Sequence, residues 1–187
     1  MSPADQLRAE PSAIDGLHVL ELKAVGDERG VVREFFRASA VNDLGLGAIG
    51  VWRQVNLTTS RQGVVRGLHG EAMTKLVSVA VGSARGAYVD ARPGSASYGR
   101  TVTVELEPGR AVLVPRGVCN GFQATAEGET AYLYCFDDEW RPDMAGVAVS
   151  AFDPDLGIAW PIPVDVNDRR LVSAKDAALP RLRDLPG

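Results

Sequence analysis

The stretch Thr101-Val-Thr-Val-Glu-Leu106, followed by Glu107-Pro-Gly109 and Ala111-Val-Leu-Val114, decides the fold class. In the first segment polar and apolar side chains alternate, and this period of two is typical of a strand with one buried face. The Pro-Gly pair supplies the backbone angles of a tight turn, so the next segment returns antiparallel to the first. The stretch therefore predicts two paired antiparallel strands.

The same pattern continues on both sides of this pair. Glycine and proline interrupt the chain at short intervals, and the segments between them are rich in Val, Leu, Thr and Tyr rather than in helix formers. We therefore predict an all-β sandwich or barrel with a few short peripheral helices. The other predicted strands are residues 17–22, 31–37, 52–56, 75–81, 87–90, 121–124 and 130–136. Short helices are predicted within residues 38–48 and from about Ala174 onward.

The composition is that of an ordinary globular protein. With 187 residues, 45% of them hydrophobic and 24% charged, the chain can bury a sizeable core, and we find no linker or internal repeat. We predict a single domain over residues 1–187, of which about residues 1–12 form a mobile tail. The net charge of -4, without a basic stripe, argues against a nucleic-acid partner.

Membrane and export signals are not evident in the sequence. No apolar run approaches the roughly 18 residues that span a bilayer, and the first residues lack the basic-then-apolar plan of a signal peptide. We therefore expect a cytoplasmic protein that does not bind a membrane. Cys119 and Cys135 lie in apolar surroundings without metal-type spacing, which favours buried thiols over a disulfide or a nucleophile.

The segment Gly63-Val-Val-Arg66-Gly-Leu-His69 is the most informative one for function. It places one of the two histidines of the chain between Arg66 and Lys75, and a base beside cations suggests proton chemistry on an anionic substrate. In a regular strand Arg66 and His69 point to opposite faces, whereas a slight twist or a bulge brings both to the mouth of one pocket. The alternative is a strand histidine that is satisfied by a backbone carbonyl. We interpret His18 as structural.

Polar residues inside apolar strand patterns predict a polar cavity. Each of them is costly to bury without a partner, although long charged side chains also reach solvent from a strand. These residues are Arg29, Glu34, Gln54, Asn56, Arg66, His69, Lys75, Asn120 and Tyr134. Arginines near one base and a tyrosine suggest a substrate with phosphates at one end and an acidic C–H bond at the other. Two histidines are too few for a cupin-type metal site, and neither a serine triad nor a dinucleotide motif is present.

Spaced motifs from about Gly16 to Asp176 resemble the dTDP-4-dehydrorhamnose 3,5-epimerase family. They are Asp27-Glu-Arg29-Gly30, Gln54-Val-Asn56, the His69 segment, Lys75-Leu-Val, Val89-Asp90-Ala-Arg92-Pro-Gly-Ser95, Pro115-Arg-Gly-Val-Cys-Asn120-Gly-Phe, Tyr134, Asp153-Pro and Ile158-Ala-Trp-Pro161. The resemblance implies a metal-free, cofactor-independent, cupin-like jelly roll. It also implies a homodimer that acts on a dTDP-linked 4-keto-6-deoxyhexose.

The resemblance also implies a role for each site residue. His69 resembles the base, Asp176 the residue that orients it, Lys75 the one that holds the enolate oxygen, and Tyr134 the acid on the opposite face of the sugar. The positions that match substrate-binding residues of the family are Arg29, Glu34, Gln54, Asn56, Arg66, Asn120 and Lys175. In the family, the counterpart of Arg29 is contributed by the other subunit of the dimer.

Three departures from the family pattern leave the exact activity open. Asn120 replaces a second histidine, the loop between His69 and Lys75 is short, and Trp140 stands where a tyrosine often packs. An asparagine still forms hydrogen bonds but is neither acid nor base near neutral pH. The first hypothesis is an epimerase that inverts C3 and C5. The alternatives are an epimerase of one centre, a noncatalytic nucleotide-sugar binding module, and a structural cupin with a water-filled cavity.

Overall fold

The computed structural model describes residues 6–46 and 51–185, which form two antiparallel sheets and one separate hairpin. The strands are β1 (Arg8–Pro11), β2 (His18–Glu21), β3 (Ala24–Asp27), β4 (Gly30–Arg33), β5 (Gln54–Arg61), β6 (Val65–Glu71), β7 (Lys75–Val81), β8 (Ala84–Asp90), β9 (Thr101–Leu106), β10 (Arg110–Val114), β11 (Val118–Ala124), β12 (Glu129–Phe136) and β13 (Gly146–Ala148). The helices are α1 (Ala38–Asp43) and α2 (Ala174–Ala177), with single 3₁₀ turns at Pro154–Leu156 and Leu182–Asp184. The all-β prediction is confirmed.

Strands that follow one another along the chain often belong to different sheets. The six-stranded sheet runs β1-β2-β10-β7-β12-β5, the five-stranded sheet runs β13-β6-β11-β8-β9, and β3 pairs with β4 alone. Apolar side chains from both sheets pack against one another to form the central core. Phe122 on β11 stacks on Tyr132 on β12, with ring centroids 3.9 Å apart, and so links the two sheets. The molecule is therefore a sandwich with its core between the sheets.

Both outer faces of the sandwich are also covered. Phe35, Phe36 and Trp52 pack on the outside of the six-stranded sheet. The chain after β13 packs on the outside of the five-stranded sheet, where Leu68 and Val149 exchange two backbone hydrogen bonds. This second covering matters for function because it carries α2 up to β6.

Strand β5 has an inverted polarity pattern. Its polar side chains, beginning with Gln54 and Asn56, point toward the interior, whereas Val55 and Leu57 are 57% and 62% exposed. An edge strand with this pattern contributes polar groups to the space between the sheets and leaves an apolar stripe outside.

Several local predictions were wrong. Residues 8–11 of the predicted tail form β1, because they pair with β2 in register from Arg8 opposite Glu21 to Pro11 opposite His18. Residues 1–5 of that tail lie outside the described residues. The strand predicted over 31–37 ends at Arg33, since its pairing partner β3 begins opposite that residue. Strands β1, β3 and β13 were not predicted.

The predicted pairing of residues 101–106 with residues 111–114 was also wrong. Both segments are strands, but β9 pairs with β8 in the five-stranded sheet and β10 pairs with β2 and β7 in the six-stranded sheet. The turn after β9 therefore carries the chain from one sheet to the other.

Two further segments differ in length from the prediction. The strand predicted over 52–56 runs over Gln54–Arg61, because all eight of these residues pair with β12. The helix predicted within 38–48 covers Ala38–Asp43, and residues 47 and 48 lie outside the described residues. The predicted helix near Ala174 is confirmed as α2, which Ser173 caps by accepting a hydrogen bond from the backbone N–H of Asp176.

The cysteines and His18 match their predictions. Cys119 and Cys135 are free and buried, and burial raises their pKa values to about 12 and about 11. The Nδ1 atom of His18 lies 3.1 Å from the nearby carbonyl oxygen of Gly16, as expected of a structural histidine. In the part of the chain that the structure describes, no helix is long and apolar enough to cross a membrane.

Candidate active site

A cavity of about 300 Å³ opens between the two sheets at one end of the sandwich. Strands β5, β7 and β12 of one sheet and β6 and β11 of the other supply most of its walls. The lining residues are Gln54, Asn56, Arg66, Gly67, His69, Glu71, Lys75, Asn120, Gly121, Phe122, Tyr134, Phe136 and Trp140. Most of the predicted polar series therefore faces one space.

A bulge in β6 brings Arg66 and His69 to this cavity. His69 pairs with Asn120 and Arg66 pairs with Phe122, so β6 uses one more residue than β11 over the same length. The extra residue resets the alternation of side chains, and both Arg66 and His69 line the cavity. Leu68, between them, packs into the outer core instead. Of the two distortions that the sequence allowed, a twist or a bulge, the structure shows the bulge.

Glycine is necessary on both strands at this bulge. Gly67 has φ of +111°, and a Cβ atom there would lie 2.7 Å from the Cα atom of Gly121. A Cβ atom on Gly121 would lie 2.4 Å from the carbonyl oxygen of Arg66. Both contacts involve backbone atoms that cannot move aside, so larger residues would force the strands apart.

His69 and Asp176 form a hydrogen-bonded pair. The Nε2 atom of His69 lies 2.8 Å from Oδ1 of Asp176, and Oδ2 accepts a 3.4 Å bond from the backbone N–H of Gly67. Burial raises the pKa of Asp176, but the hydrogen bond from His69 and the other bonds outweigh it, so the pKa lies below its usual value. The ionised carboxylate accepts the Nε2 proton, which leaves the lone pair of the neutral ring on Nδ1.

Lys75 lies at the floor of the cavity with its ammonium group surrounded by acceptors. Its Nζ atom donates to the carbonyl oxygen of His69 at 3.0 Å and to Oδ1 of Asn120 at 2.6 Å, and it is ion-paired with Glu71. Burial lowers the pKa of Lys75, and the charge of Glu71 and its hydrogen bond oppose this effect. The site thus holds a buried cation near the histidine.

Tyr134 presents its phenol to the cavity from the other sheet. It belongs to a row of aromatic rings on β12, with centroids 5.3 Å from Tyr132 and 5.6 Å from Phe136. Its hydroxyl is hydrogen-bonded to the hydroxyl of Thr58 on β5. Packing and this bond together fix the direction of the phenol.

Polar groups at the cavity rim are also held by hydrogen bonds. Gln54 donates to Oδ1 of Asn56 at 3.1 Å and accepts a 2.7 Å bond from the backbone N–H of Trp140. The Nε atom of Arg66 donates to the hydroxyl of Ser60 at 3.0 Å. Among residues 6–46 and 51–185 the guanidinium has no other hydrogen-bond partner, so its remaining N–H groups are available to an anionic ligand.

Comparison with known proteins identifies the family to which the chain belongs. The family model described as dTDP-4-dehydrorhamnose 3,5-epimerase matches residues 11–184. The chain belongs to this epimerase family. The dTDP-4-dehydrorhamnose 3,5-epimerase of Salmonella typhimurium is 35% identical over 177 residues, which cover 91% of this chain and 93% of the relative.

Solved structures of other epimerases share the fold. The epimerase of Legionella pneumophila, in complex with dTDP-4-keto-L-rhamnose, has a TM-score of 0.86 and 33% identity, and covers 97% of this chain and 95% of its own. A 3'-monoepimerase from Streptomyces bikiniensis, in complex with dTDP-quinovose, has a TM-score of 0.82 and 28% identity over 93% of this chain and 87% of its own. The cupin-like jelly roll that the resemblance implied is thereby confirmed.

Three binding residues that the epimerase resemblance suggested do not line the cavity. Arg29 lies in the exposed turn between β3 and β4 and is paired with Asp27 at 2.5 Å. Glu34 is paired with Arg37 on the outside of the six-stranded sheet. Lys175 is exposed on α2. The outward course of the β3–β4 hairpin and the capping of α2 carry these side chains away from the cavity of their own chain.

Sequence reasoning also missed two residues of this epimerase site. Glu71 follows His69 by two positions, and Thr58 follows Asn56 by two, so each lies on the cavity face of its strand. The period of two was the signal that would have found them. Among residues 6–46 and 51–185 no three His, Cys, Asp or Glu side chains are grouped to hold a metal ion.

Proposed function

We propose that the protein epimerises dTDP-4-keto-6-deoxy-D-glucose at C3 and C5, as a step of nucleotide deoxysugar biosynthesis. The observation that carries the proposal is one cavity that holds the His69–Asp176 pair, a buried Lys75 and Tyr134 from the opposite sheet. A base and an acid on opposite walls suit a reaction that removes a proton from one face of a carbon and returns it to the other.

The proposed chemistry begins with the 4-keto group, which acidifies the C–H bonds at C3 and C5. Nδ1 of His69 removes the proton, and the electron pair of the broken C–H bond moves to the keto oxygen as an enolate. Asp176 stabilises the imidazolium that forms, and Lys75 stabilises the enolate oxygen. Tyr134 then delivers its proton to the opposite face of the carbon, and the enolate returns to the ketone. Solvent takes the proton from His69 and reprotonates the phenolate of Tyr134 before the next inversion. The oxidation level of the sugar does not change, so the cycle needs no redox cofactor.

Substrate binding is proposed to involve both subunits of a homodimer. Arg66 is placed to bind the diphosphate within one chain, whereas Arg29 extends from an exposed hairpin. This hairpin and the edge strand β5 expose apolar side chains, with Val32 at 77% and Leu57 at 62%. An exposed apolar edge next to an outward-pointing arginine supports a partner subunit that receives Arg29. We further place the protein in the cytoplasm, where free thiols such as those of its cysteines are usual.

Proton exchange tests the proposal directly. The protein is incubated with dTDP-4-keto-6-deoxyglucose in deuterated water, and proton NMR follows deuterium at C3 and C5. We expect exchange at both positions, lost in His69→Asn and retained in the matched control His18→Asn. Turnover by His69→Asn would overturn the mechanism. Binding of dTDP without exchange would favour the noncatalytic module, whereas tight binding of dTDP that is lost in Arg66→Ala would exclude a structural cupin.

Epimerisation of a single centre is the second candidate. Asn120 occupies a cavity position that resembles a histidine position of the family, and a 3'-monoepimerase shares the fold. An asparagine there removes one group able to exchange protons. Deuterium at only one of the two carbons identifies this alternative in the same experiment.

A further inference from the structure

The ammonium group of Lys75 lies among three oxygen-bearing groups of the protein. An ammonium carries three N–H groups, and the three acceptors around Lys75 are the His69 carbonyl, the Asn120 amide oxygen and the Glu71 carboxylate. The first two are neutral. Glu71 is the one acidic side chain within ion-pair distance of Lys75 among the described residues. The charge balance of the cavity floor therefore depends on a residue that the proposed mechanism does not use.

We propose that Glu71 is a positioning residue whose carboxylate keeps Lys75 an ammonium ion and fixes it at the floor of the cavity. The Lys75 side chain is only 4% exposed, compared with 24% for Glu71. A lysine removed from water loses its hydration, and a carboxylate at contact distance is the group that compensates for this loss. The expected effect of this charge on turnover rests on the proposed epimerase function. Its expected effect on the protonation of Lys75 is independent of that function.

The other titratable groups around Lys75 do not provide this charge. Cys119 on β11 is a buried thiol whose raised pKa, about 12, keeps it neutral. Tyr134 on β12 is a phenol that is hydrogen-bonded to Thr58. The ring of His69 on β6 is hydrogen-bonded to Asp176, so that carboxylate pairs with the histidine and not with Lys75. Burial lowers the pKa of Lys75, and only Glu71 opposes it with both a charge and a hydrogen bond.

The composition of the chain makes the protonation of Lys75 directly measurable. Its lysines are Lys23, Lys75 and Lys175. In ¹³C-labelled protein the three Cε signals can be titrated from neutral to alkaline pH, and Lys75→Arg identifies the Lys75 signal by its loss. The variants are Glu71→Gln, which removes the charge and keeps the shape, and Glu71→Asp, which keeps the charge on a shorter side chain. Glu129→Gln, at the exposed start of β12, is the matched control.

We expect the Lys75 midpoint in Glu71→Gln to lie at least about one pH unit below that of the unaltered protein. In Glu71→Asp it lies between the two, and in Glu129→Gln it does not move. An unchanged midpoint in Glu71→Gln would overturn the proposal. If that variant does not fold, Glu71→Ala provides the same comparison, since it also removes the charge.

Activity separates this inference from the proposed function. The alkaline limb of the pH profile of proton exchange is expected to move to lower pH in Glu71→Gln by the same amount as the Lys75 midpoint. A shifted midpoint in a protein that never exchanges substrate protons would retain the role of Glu71 and reject the epimerase. Normal exchange of substrate protons with an unshifted Lys75 midpoint would retain the epimerase and reject the role of Glu71.

Discussion

The Nε2 atom of His69 lies 2.8 Å from Oδ1 of Asp176, although 107 residues separate them in the chain. The contact exists because the segment after β13 folds over the outer face of β6 and places α2 at its bulge. One side chain thus belongs to the sheet and the other to its covering layer. Substitutions in this pair therefore test both the proposed proton transfer and the placement of the C-terminal segment.

Asp176→Asn is expected to lower kcat by about 10² to 10⁴-fold with little change in dTDP affinity. An amide can donate a hydrogen bond to His69 and select the wrong ring tautomer, and it lacks the charge that stabilises the imidazolium. Steady-state kinetics and calorimetric titration with dTDP measure the two effects. Equal losses of kcat and of dTDP affinity would show that Asp176 acts on folding rather than on the base.

Tyr134→Phe is expected to separate proton removal from inversion. His69 still removes a proton in this variant, so solvent deuterium enters the substrate, but no acid delivers it to the opposite face. NMR in deuterated water should show label in substrate of unchanged configuration. Thr58→Val, which removes only the hydroxyl partner of Tyr134, should slow inversion by less than about tenfold. Normal inversion in Tyr134→Phe would eliminate it as the acid.

Gly67→Ala is expected to destabilise the protein and to abolish activity. The new Cβ atom would lie 2.7 Å from backbone of β11 in a conformation that side chains rarely adopt. Gly94→Ala is the matched control, since Gly94 also has positive φ, at +75°, but has open space around it. We expect the control to cost about 1 kcal/mol and Gly67→Ala several times more, as measured by urea unfolding. Equal costs would mean that the close approach at the bulge is unimportant.

Asp90→Asn tests a buried carboxylate outside the cavity. Asp90 is fully buried and accepts hydrogen bonds from Arg92, Ser95 and Ser97. Burial raises its pKa, but these bonds, with that of Arg92 first among them, hold the pKa well below the usual 3.8. The variant is expected to lose about 3 kcal/mol of stability at neutral pH, because it leaves Arg92 without its ion partner.

The sign of the pH effect follows from the lowered pKa of Asp90. The unfolded chain binds a proton near pH 3.8 and the folded protein only at lower pH, so the stabilisation is complete above that value and is lost as the pH falls through the folded-state pKa. Unfolding curves of both proteins should therefore converge in strong acid. A constant difference at every pH would rule out this linkage.

Subunit mixing tests whether Arg29 completes a site across the proposed dimer. Arg29→Ala and His69→Asn are each expected to be inactive or weak alone. In a mixed dimer, the subunit with intact His69 receives an intact Arg29 from its partner, so one complete site forms. Activity should rise when the variants are dissociated and reassembled together. No recovery, with mixed dimers verified by differential tags, would mean that Arg29 does not act across the interface.

Much of the fold follows from local patterns. The alternation over Thr101–Leu106 and the turn after it predicted two strands, and the structure has β9 and β10 there. Their predicted pairing with each other was wrong, because β9 pairs with β8 in one sheet and β10 pairs with β2 and β7 in the other. Strands without such alternation were missed: β13 is three residues long, and β1 exists only because it pairs with β2. A short strand on an edge is stabilised by its neighbour rather than by its own sequence.

The candidate site was predictable in its residue types but not in its contacts. His69, Lys75 and Tyr134 stood out because polar groups are costly inside apolar strands. The resemblance to a family, rather than any local pattern, singled out Asp176. Glu71 was overlooked because a carboxylate two residues after a histidine is unremarkable until Lys75 is known to lie beside it.

The sequence by itself determined the all-β class, the strand that carries His69 and the glycines that permit a bulge beside it, because these depend on side-chain alternation and backbone freedom within a few residues. Only the tertiary structure decided which side chains meet. The pairings of His69 with Asp176 and of Lys75 with Glu71 and Asn120 depend on strand register, on the one-residue bulge and on the return of the C-terminal segment. These features arise from packing between distant parts of the chain, which no local pattern encodes.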